Sequence, residues 1–439
     1  MTRLLTIACI CGLVVACGDH TERGRRLQLV YDLDVDMAVA DQASAMEHDL
    51  EAALAEEKIV ATVKASALSA GALTVTSRDG ANNAAIEKLV KATYGDTIES
   101  RACEVSAGPN SICFAITASR VGTIEKTALS RAVVLVRARL VASNVSDPTV
   151  VEKAGQIVVE FPENDPQGRS IQSLISRAGK LELKVVDDGS EYMKRLFAHV
   201  GSAGRNGEPT DPRAIQEEIT AVVDAWRPQD GGPFRTDYYL VAHDREAFVP
   251  VERAHQLHCS ANNVDNGRVR CTVSGRVVIE SYLVELTATD PAFQVPDDRQ
   301  IGYERVEPYP DAKDQRPYWR TYYLDRAVQL TGSAIANAEG SFDANTNRPI
   351  VLLDFDRSGT RVFGELTAQI VGKKLATILD GTIKNAPIIG GAIRGGRAAI
   401  TMGGNDARRQ EAERDELVTV LKTGALPSPL RESSSHVVP

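Results

Sequence analysis

The feature that most constrains the fold is an alternation of strand-like and helix-like segments in the first half of the chain. Residues 27–36 (LQLVYDLDVD) alternate apolar and polar side chains, which is typical of a strand. In the next segment, 38–59, apolar residues such as Met46 and Leu50 recur at near-helical spacing. Two strands, a helix and a further strand follow, so that residues 27–105 have the order βαββαβ. This order predicts a ferredoxin-like unit.

A second cycle of strands and helices follows directly. Its strands are predicted at 112–119, 156–162 and 181–188, and its helices at 121–143 and 168–179. The segment RAVVLVRARL (131–140) is ambiguous, because it alternates like a strand but also places Val133, Val136 and Leu140 on one helical face. We interpret it as helix, since the preceding residues, IEKTAL, favour helix.

Residues 200–326 have a different texture. They contain the loop-rich stretches GRNGEPTDPRA and RVEPYPDAKDQRPYWR, with a helix predicted at 214–226 and strands predicted around 271–289. From Leu330 the regular patterning returns. We therefore expect an α+β fold in which a loop-rich inserted region separates two regular parts.

The first residues have the pattern of an export signal. Residues 4–16 are apolar, which is too short for a membrane span of about 20 residues but sufficient for a signal-peptide core of about 7–15. Val14-Val15-Ala16-Cys17 also matches the bacterial lipobox pattern, in which the cysteine receives lipid. We expect a signal peptide at 1–16, lipid on Cys17 and a polar tether over 17–26. The alternative is ordinary signal cleavage beside a chance cysteine.

Four further cysteines fall into two close pairs. They are Cys103 with Cys113, and Cys259 with Cys271. In an oxidising compartment this spacing favours two local disulfides, although four cysteines permit three pairings. Each short bridge would stabilise the fold by about 2–3 kcal/mol in the chain-entropy model.

Two short motifs invite a metal interpretation. HQLHC offers His255, His258 and Cys259, but a structural zinc site needs four ligands, and an exported cysteine is more often in a bridge. DLDVD lacks the glycine and the distal glutamate of a calcium loop. We expect no metal site, and we expect the aspartates of DLDVD to face solvent; they are Asp32, Asp34 and Asp36.

No motif indicates catalysis. The chain has no G-x-S-x-G and no HExxH, and GGAIRGG lacks the Lys-Ser/Thr pair of a phosphate loop. The acidic pairs Asp187-Asp188 and Glu217-Glu218 are expected to be solvated charges. A formal net charge of −9 argues against nucleic acid as a partner. We therefore expect neither enzymatic activity nor a cofactor; a hydrolase or metal enzyme based on HQLHC is the remaining alternative.

The last regular part contains several short motifs in a fixed order. In ATILDGTIKNAPII (376–389) two apolar runs flank Asp380-Gly381, which is a strong hairpin signal. The helix-like segment 406–423 is followed by Gly424 and then by Leu426-Pro427. These motifs resemble the head of the large periplasmic domain of SecD, a subunit of the bacterial protein-export translocon. The positions that carry the resemblance are Gly332, Phe355, Gly359, Phe363, Asp380, Gly381, Ala386, Pro387, Gly403, Gly404, Gly424, Ala425, Leu426 and Pro427.

Two earlier segments, 143–165 and 173–186, are similar to the base of the same SecD domain. The resemblance implies a ferredoxin-like base region, an α+β head region and a variable inserted region between them. Their expected bounds are 27–199 for the base, 200–326 for the inserted region and 327–430 for the head. Residues 431–439 are expected to be a flexible tail.

The resemblance has departures. Where SecD has an LDLRGG-like stretch after its first membrane helix, this chain has RRLQLVYDLDVD, and where SecD continues into membrane helices, it has RESSSHVVP. We expect the lipid on Cys17 to replace those helices as the membrane attachment, and no motor role to carry over.

The resemblance also implies a function. The SecD periplasmic domain engages the emerging preprotein, with its head moving relative to its base. We expect a periplasm-facing, lipid-anchored envelope protein that binds exported polypeptides or Sec translocon subunits, by strand addition or in an apolar groove between head and base. The alternative is a structural or regulatory lipoprotein that reuses the fold to bind a different partner.

Overall fold

The computed structural model of the protein describes residues 25–66, 69–78, 80–103, 107–166, 168–201, 211–227, 231–251, 264–265, 267–296, 298–308, 314–403 and 406–438. The helices are α1 (Val35–Glu56), α2 (Asn83–Tyr94), α3 (Ala118–Ala142), α4 (Gly168–Ser176), α5 (Glu191–Val200), α6 (Pro212–Gln216), α7 (Gly275–Thr289), α8 (Arg357–Gln369) and α9 (Ala407–Thr423). The strands before residue 200 are β1 (Arg26–Leu33), β2 (Ala61–Ala65), β3 (Ala72–Ser77), β4 (Ile98–Arg101), β5 (Ser111–Ile116), β6 (Thr149–Lys153), β7 (Gln156–Pro162) and β8 (Leu181–Val185).

The later strands complete the fold. They are β9 (Thr220–Trp226), β10 (Arg235–His243), β11 (Arg245–Pro250), β12 (Val264–Asp265), β13 (Arg268–Val273), β14 (Arg299–Val306), β15 (Tyr318–Asp325), β16 (Leu330–Thr331), β17 (Ile335–Phe342), β18 (Pro349–Phe355), β19 (Leu375–Leu379), β20 (Thr382–Asn385), β21 (Arg397–Thr401) and β22 (Leu430–Val438). This mixture of helices and sheets confirms the predicted α+β class.

A ferredoxin-like unit is assembled from both ends of the chain. A four-stranded sheet has the order β22–β1–β7–β6, and each neighbouring pair is antiparallel. Helices α3 and α4 belong to the same unit. In chain order its elements are β1, α3, β6, β7, α4 and β22, which is the βαββαβ arrangement. The core between sheet and helices contains fully buried Tyr31, Val136, Phe161 and Ile175.

The prediction that residues 27–105 form one ferredoxin-like unit is wrong in its pairing. Strands β2, β3, β5 and β4 form a separate antiparallel sheet in that order. This sheet shares its core with α1 and α2 through residues such as Leu50, Leu73 and Ile86. The segment from α1 to β5 is thus inserted between β1 and α3. The order of elements along a chain does not determine which strands pair, because Leu29 and Tyr31 of β1 are buried against α3 instead.

The prediction of a flexible tail at 431–439 is also wrong for the described residues. Residues 430–438 form β22, which pairs with β1 from Leu33 opposite Leu430 to Arg26 opposite Val438. The sequence of residues 431–437, RESSSHV, has no apolar periodicity that would predict a strand. In the structure, the side chains of these residues are exposed. The segment is ordered by backbone pairing with β1, and the Arg431–Asp34 ion pair adds to it. Because β1 begins at Arg26, the predicted tether over 17–26 overlaps this strand by one residue.

The interpretation of residues 131–140 as helix is confirmed. They lie within α3, where Ala132, Val136 and Leu140 are fully buried. On the opposite face, Val134 and Val141 are more than 60% exposed. The helical face therefore decides the conformation, because the alternating pattern would have placed Val134 and Val136 on the same side of a strand.

One eight-stranded sheet contains strands from the predicted base, inserted and head regions. Its order is β16–β8–β19–β20–β14–β15–β10–β9. Strand β8 belongs to the base, β9, β10, β14 and β15 to the inserted region, and β16, β19 and β20 to the head. The expected region bounds stay predictions, but the three regions share backbone pairing. The inserted region is not predominantly loop, since it also contains the three-stranded sheet β11–β13–β12.

Two elements of the inserted region differ from prediction. Residues 214–226 were predicted as one helix, but α6 ends at Gln216 and β9 begins at Thr220, after Glu218 adopts a φ of +57°. Residues 271–289 were predicted as strands, but α7 follows β13 from Gly275. The α7 sequence is rich in β-branched residues, which favour strands locally. Burial of residues at helical spacing overrides that preference, and these residues are Val278, Ile279, Tyr282, Leu283 and Leu286.

The head has its own three-stranded sheet. Its order is β17–β18–β21, and all pairs are antiparallel. Helix α9 packs against β17 and β18, with Leu417 and Leu421 in a core that also contains Ala338 and Val351. Leu181 of β8 and Leu379 of β19 belong to the same core, so the head sheet is packed against the eight-stranded sheet.

Candidate functional site

The chain crosses between base and head at two segments that lie side by side. The first, 177–180, leads from α4 into β8, and the second, 424–427, leads from α9 back to the base. The backbone N–H of Leu426 donates to the Ala178 carbonyl at 2.7 Å. Leu426 is buried in the core of the ferredoxin-like unit. This pair of segments is the base–head crossing.

Arg139 of α3 holds the crossing together. Its side chain is fully buried, and its guanidinium donates to the carbonyls of Leu174 (3.0 Å), Arg177 and Ala178 (3.2 Å) at the end of α4. It also donates to the Gly424 carbonyl at 3.0 Å. Carbonyls at a helix C-terminus carry partial negative charge, so a cation is favoured there. Burial lowers the pKa of Arg139 to about 10, which leaves it charged at neutral pH.

Two glycines have backbone conformations that the crossing requires, and one of them also allows a close approach. Gly179 has a φ of +77°, and a Cβ at this position would clash with the Val420 side chain of α9. Gly424 has a φ of +98° directly after α9. Both positions lie in the left-handed region, which favours glycine. The positive φ at the crossing therefore explains why the motif has a glycine at position 424.

The Asp380-Gly381 hairpin also contacts the crossing. Asp380 and Gly381 have φ values of +50° and +72°, as the tight turn between β19 and β20 requires. The Asp380 carboxylate accepts from the Lys180 backbone N–H at 2.8 Å, and the Asp380 N–H donates to the Lys180 carbonyl at 3.0 Å. Burial raises the pKa of Asp380. Three of the predicted motif positions thus contact the base at the crossing: Asp380 and Leu426 bond to the segment 177–180, and Gly424 bonds to Arg139.

The remaining motif positions lie mainly inside the head. Phe355 and Phe363 pack with ring centroids 4.9 Å apart, and Gly359 donates its N–H to the Asp356 cap of α8 at 2.7 Å. The Pro387 carbonyl accepts from the Leu375 N–H at 3.0 Å. Others have roles in turns or packing: Gly332 starts a helical turn after β16, Ala386 is partly buried, and Gly403 lines a cleft. Gly404 lies outside the described residues.

A second connection between regions is a buried charge cluster around Lys374, just before β19. The Lys374 ammonium lies 2.5 Å from Asp237 Oδ2 and 3.9 Å from Asp188 Oδ1. It also lies 4.3 Å from the ring centroid of Trp226. Lys374 belongs to the head, Asp188 to the base, and Asp237 to the inserted region. This charge cluster therefore joins all three regions.

Arg320 of β15 extends the charge cluster. Its guanidinium lies 3.6 Å from Asp237 Oδ2 and stacks on the Tyr239 ring at 4.0 Å. Nearby, the Tyr322 hydroxyl donates to Glu304 Oε2 at 2.6 Å. Burial raises the pKa of Glu304 above its ordinary value. Removing one member of such a cluster would leave an opposite charge buried without its partner.

The prediction that Asp187-Asp188 are solvated charges is wrong for Asp188. Its side chain is 1% exposed, and its Oδ2 accepts from the Lys374 backbone N–H at 3.2 Å. Burial raises its pKa to about 6. Asp187 is about one-third exposed and pairs with Arg299 at 3.1 Å. In the other acidic pair, Glu217 lies 2.7 Å from Arg245.

Two clefts flank α9. One, of about 780 Å³, lies between α3, α4 and α9, where base and head meet. Its lining is mainly polar, with Ser173 and Arg177 both bonded to Glu416 at 2.7 and 3.0 Å. This lining does not fit the expected apolar groove between head and base. The other cleft, of about 440 Å³, lies between α9, β14 and β20.

The other predicted sites are placed as follows. Cys103 and Cys113 form a disulfide with their Cα atoms 5.1 Å apart, as the local pairing predicts. Cys271 is on β13, but Cys259 and the HQLHC motif lie outside the described residues, as does Cys17. The second bridge and the lipid attachment therefore stay predictions.

The DLDVD aspartates have local structural roles. Asp34 caps α1 by accepting from the Met37 N–H at 3.1 Å, and it is only partly exposed. Asp32 is exposed and accepts from Gln156 at 2.8 Å, and exposed Asp36 lies in the first turn of α1. Within the described ranges, no group of three metal-ligating side chains is found. In the same part of the chain, no helix has the length and apolar character that a bilayer span requires.

The sequence predictions did not include Arg139, Lys374, Asp237 or Arg320. Arg139 had one signal, because it lies beside Val136 and Leu140 on the predicted apolar face of α3. The other three had none, since they are brought together by a sheet whose pairing the sequence does not specify.

The known proteins to which this chain is similar are SecD and SecDF proteins. Residues 306–428 match the family model described as the SecDF P1 head subdomain. The protein translocase subunit SecD of Rhodothermus marinus is 29% identical over 307 residues, which are 69% of this chain and 45% of that protein. SecD of Rickettsia prowazekii is 39% identical over 121 residues, or 28% of this chain and 22% of that protein. The chain thus spans less than half the length of these curated relatives.

Solved structures of SecDF are also similar. A crystal structure of SecDF in a super-membrane-facing form covers 71% of this chain and 28% of that chain, at 20% identity and a TM-score of 0.37. A structure of SecDF described as a membrane component that enhances protein export covers 70% of this chain and 92% of that chain. Its identity is 22% and its TM-score 0.35.

Proposed function

The chain carries a SecD-like periplasmic domain, and from this premise we propose that it takes part in protein translocation. In this proposal it binds exported polypeptides or Sec translocon subunits on the periplasmic side of a membrane, and it catalyses no reaction. The observation that carries the proposal is the match of residues 306–428 to the SecDF head subdomain. The motif positions Asp380 and Gly424 support it, because both attach the head to the base at the crossing.

The proposed binding surface is formed where the base, the inserted region and the head are joined. Arg139 and the charge cluster of Lys374 connect the head to the base and to the inserted region. The clefts on both sides of α9 are concave surfaces where the head meets its neighbouring regions. A polypeptide held in the cleft of about 780 Å³ would contact both head and base. One held in the cleft of about 440 Å³ would contact the head and the inserted region.

A crosslinking experiment on intact cells tests this function. The full chain is crosslinked in the envelope, purified under denaturing conditions and its adducts are identified by mass spectrometry. We expect Sec translocon subunits or exported polypeptides in transit among the adducts. Recovery of neither class, with the protein folded and correctly located, would count against the proposal.

We also propose that the protein is attached to a membrane of the cell envelope by lipid on Cys17, after removal of residues 1–16. Cys17→Ser should abolish palmitate labelling and release the protein from the membrane fraction. Cys11→Ser, a matched change inside the predicted signal peptide, should alter neither property. Labelling that survives Cys17→Ser would overturn the proposed attachment.

A second candidate function is that of a structural or regulatory lipoprotein with a different partner. It is favoured by exposed apolar side chains in the inserted region, including Phe234 (66% exposed), Phe248 (60%) and Val284 (70%). In this case the substitutions Phe248→Ser and Val284→Ser should abolish crosslinking to that partner and leave the export of other proteins unchanged. Changes in the head clefts should have no effect on that partner.

A further inference from the structure

A small cavity lies within the inserted region, between α6, α7 and β11. Its volume is about 180 Å³. Since one water needs about 10–15 Å³ of cavity volume, there is room for roughly a dozen non-hydrogen atoms. The residues that line the cavity lie between Arg213 and Glu285, whereas the match to the SecDF head subdomain begins at residue 306. The cavity therefore lies outside the matched head.

The walls of the cavity are faces of regular elements. Helix α7 contributes residues at helical spacing and β11 contributes alternate residues; these are Val278, Tyr282 and Glu285, and Arg245, Ala247 and Val249. The Gly275 N–H at the start of α7 donates to Asp244 Oδ1 at 3.0 Å. The first residues of α7 and of β11 consequently lie at the same end of the cavity.

An ion pair lies at each end of the cavity. At the end where α7 and β11 start, Arg245 Nη2 is 2.7 Å from Glu217 Oε2. At the other end, Arg213 pairs with Glu285, which lies about 10 Å along α7 from Val278. All four charged side chains line the cavity. Because Arg213 and Glu217 are four residues apart in and directly after α6, the two pairs are separated by about 6 Å along that helix.

The surface between the two ion pairs is apolar. Val249, Val278 and Tyr282 are buried members of the lining, and Ala247 is partly buried. The Tyr282 hydroxyl donates at 2.7 Å to Asp211, which does not line the cavity, so the Tyr282 ring is the part that the cavity contacts. The charged residues of the lining are two arginines and two glutamates. The cavity thus combines an apolar floor with no net charge.

We propose that this cavity binds a small molecule with a zwitterionic α-amino acid group at each end of a short aliphatic linker. A guanidinium has five N–H donors and a carboxylate about four acceptor positions, so an ion pair can also bind a second carboxylate and an ammonium. Each ion pair matches one amino acid group, and the floor matches the methylene groups of the linker. An acyl chain would desolvate the ion pairs without bonding to them, and a dianion would be repelled by both glutamates.

Calorimetric titration of the purified full chain tests the ligand class. The probe is meso-diaminopimelate, which has an amino acid group at each end of three methylenes. Three comparison compounds each lack part of this chemistry: pimelate lacks the amino groups, cadaverine lacks the carboxylates, and norleucine lacks one amino acid group. We expect meso-diaminopimelate to bind, and the others to bind at least about 10-fold more weakly. No binding of the probe, or equal binding of a comparison compound, would overturn the inference and leave the proposed function standing.

Variants of the full chain test the location of the site. Arg213→Gln removes the cation of one ion pair and should weaken binding of meso-diaminopimelate by about 10-fold. Ser281→Trp, which fills the cavity from an exposed position of α7, should abolish binding. The matched control is Arg361→Gln, which breaks a 3.1 Å ion pair with Glu365 in the head and should leave binding unchanged. Thermal unfolding confirms that each variant is folded. Unchanged affinity in Arg213→Gln or in Ser281→Trp would overturn the inference.

Discussion

Arg139 shows how a single side chain can join distant parts of this chain. It connects α3 to the end of α4 and to Gly424, which is 285 residues away in sequence. An arginine on the apolar face of a predicted helix signals an unusual buried position. Its partners could not be predicted, because they are backbone carbonyls and any residue type supplies those.

We predict that Arg139→Met lowers the free energy of unfolding by about 3 kcal/mol or more. The variant keeps a long side chain but leaves several buried carbonyls without their donor. Arg131→Met is the matched control, since Arg131 is an exposed arginine of the same helix, and it should change stability by less than about 0.5 kcal/mol. Urea unfolding of both variants checks the prediction, and equal stabilities would show that Arg139 does not clamp the crossing.

Asp188 makes stability depend on pH in a specific direction. Burial raises its pKa from 3.8 to about 6, so the folded state binds its proton more tightly than the unfolded state does. The resulting stabilisation is present below about pH 4 and is lost as the pH rises through about 6. A shift of this size corresponds to about 3 kcal/mol.

Asp188→Asn should therefore gain stability relative to the unmodified protein as the pH rises. We expect the difference in free energy of unfolding to move in favour of the variant by up to about 3 kcal/mol between pH 4 and pH 7. Urea unfolding at several pH values measures this difference. Parallel pH profiles for the two proteins would contradict the assigned role of Asp188.

At the scale of elements, periodicity predicted helices and strands better than it predicted pairing. The apolar face of α3 identified residues 131–140 correctly as helix. In α7, the run of β-branched residues concealed a helical face that is buried by tertiary packing. Strand β22 could not be predicted, because its exposed polar side chains carry no pattern. Pairing across the whole length of the chain, such as β1 with β22, is not specified by local sequence.

The pairing of β22 with β1 allows the contribution of its backbone hydrogen bonds to stability to be tested apart from that of its side chains. The Glu163 N–H donates to the Arg25 carbonyl, so the odd-numbered residues of β1 bond to β7 and Val30 bonds to β22. Ser434 lies opposite Val30 and directs its N–H to β1, whereas Ser435 directs its N–H outward.

Ser434→Pro should therefore cost about 1–3 kcal/mol of stability, because proline removes a ladder donor. Ser435→Pro removes an N–H that is not in the ladder and should cost clearly less. Both serines are exposed, so side-chain packing cannot account for a difference between the variants. Urea unfolding compares them, and hydrogen exchange of β1 amides locates the effect. Equal losses would indicate that β22 is not paired in this register.

At the scale of the whole molecule, the three predicted regions are parts of one structural unit. The base contributes β8, the head β16, β19 and β20, and the inserted region four further strands to one sheet. The charge cluster adds side-chain contacts among the same regions. The resemblance to a known domain predicts the three regions, but it does not show that the inserted region contributes strands to the central sheet.

We therefore predict that the three regions unfold together. The chain has two tryptophans, Trp226 and Trp319, and both lie in strands that the inserted region contributes to the sheet. Tryptophan fluorescence reports on that region, while far-ultraviolet circular dichroism reports on all helices and strands. The two urea transitions should coincide, because unfolding of the inserted region would break the Glu304–Ile383 and Val186–Leu324 bridges and would leave the buried charges of Lys374 and Asp188 without Asp237. A fluorescence transition at clearly lower urea would show instead that the inserted region unfolds by itself, and that head and base do not depend on it.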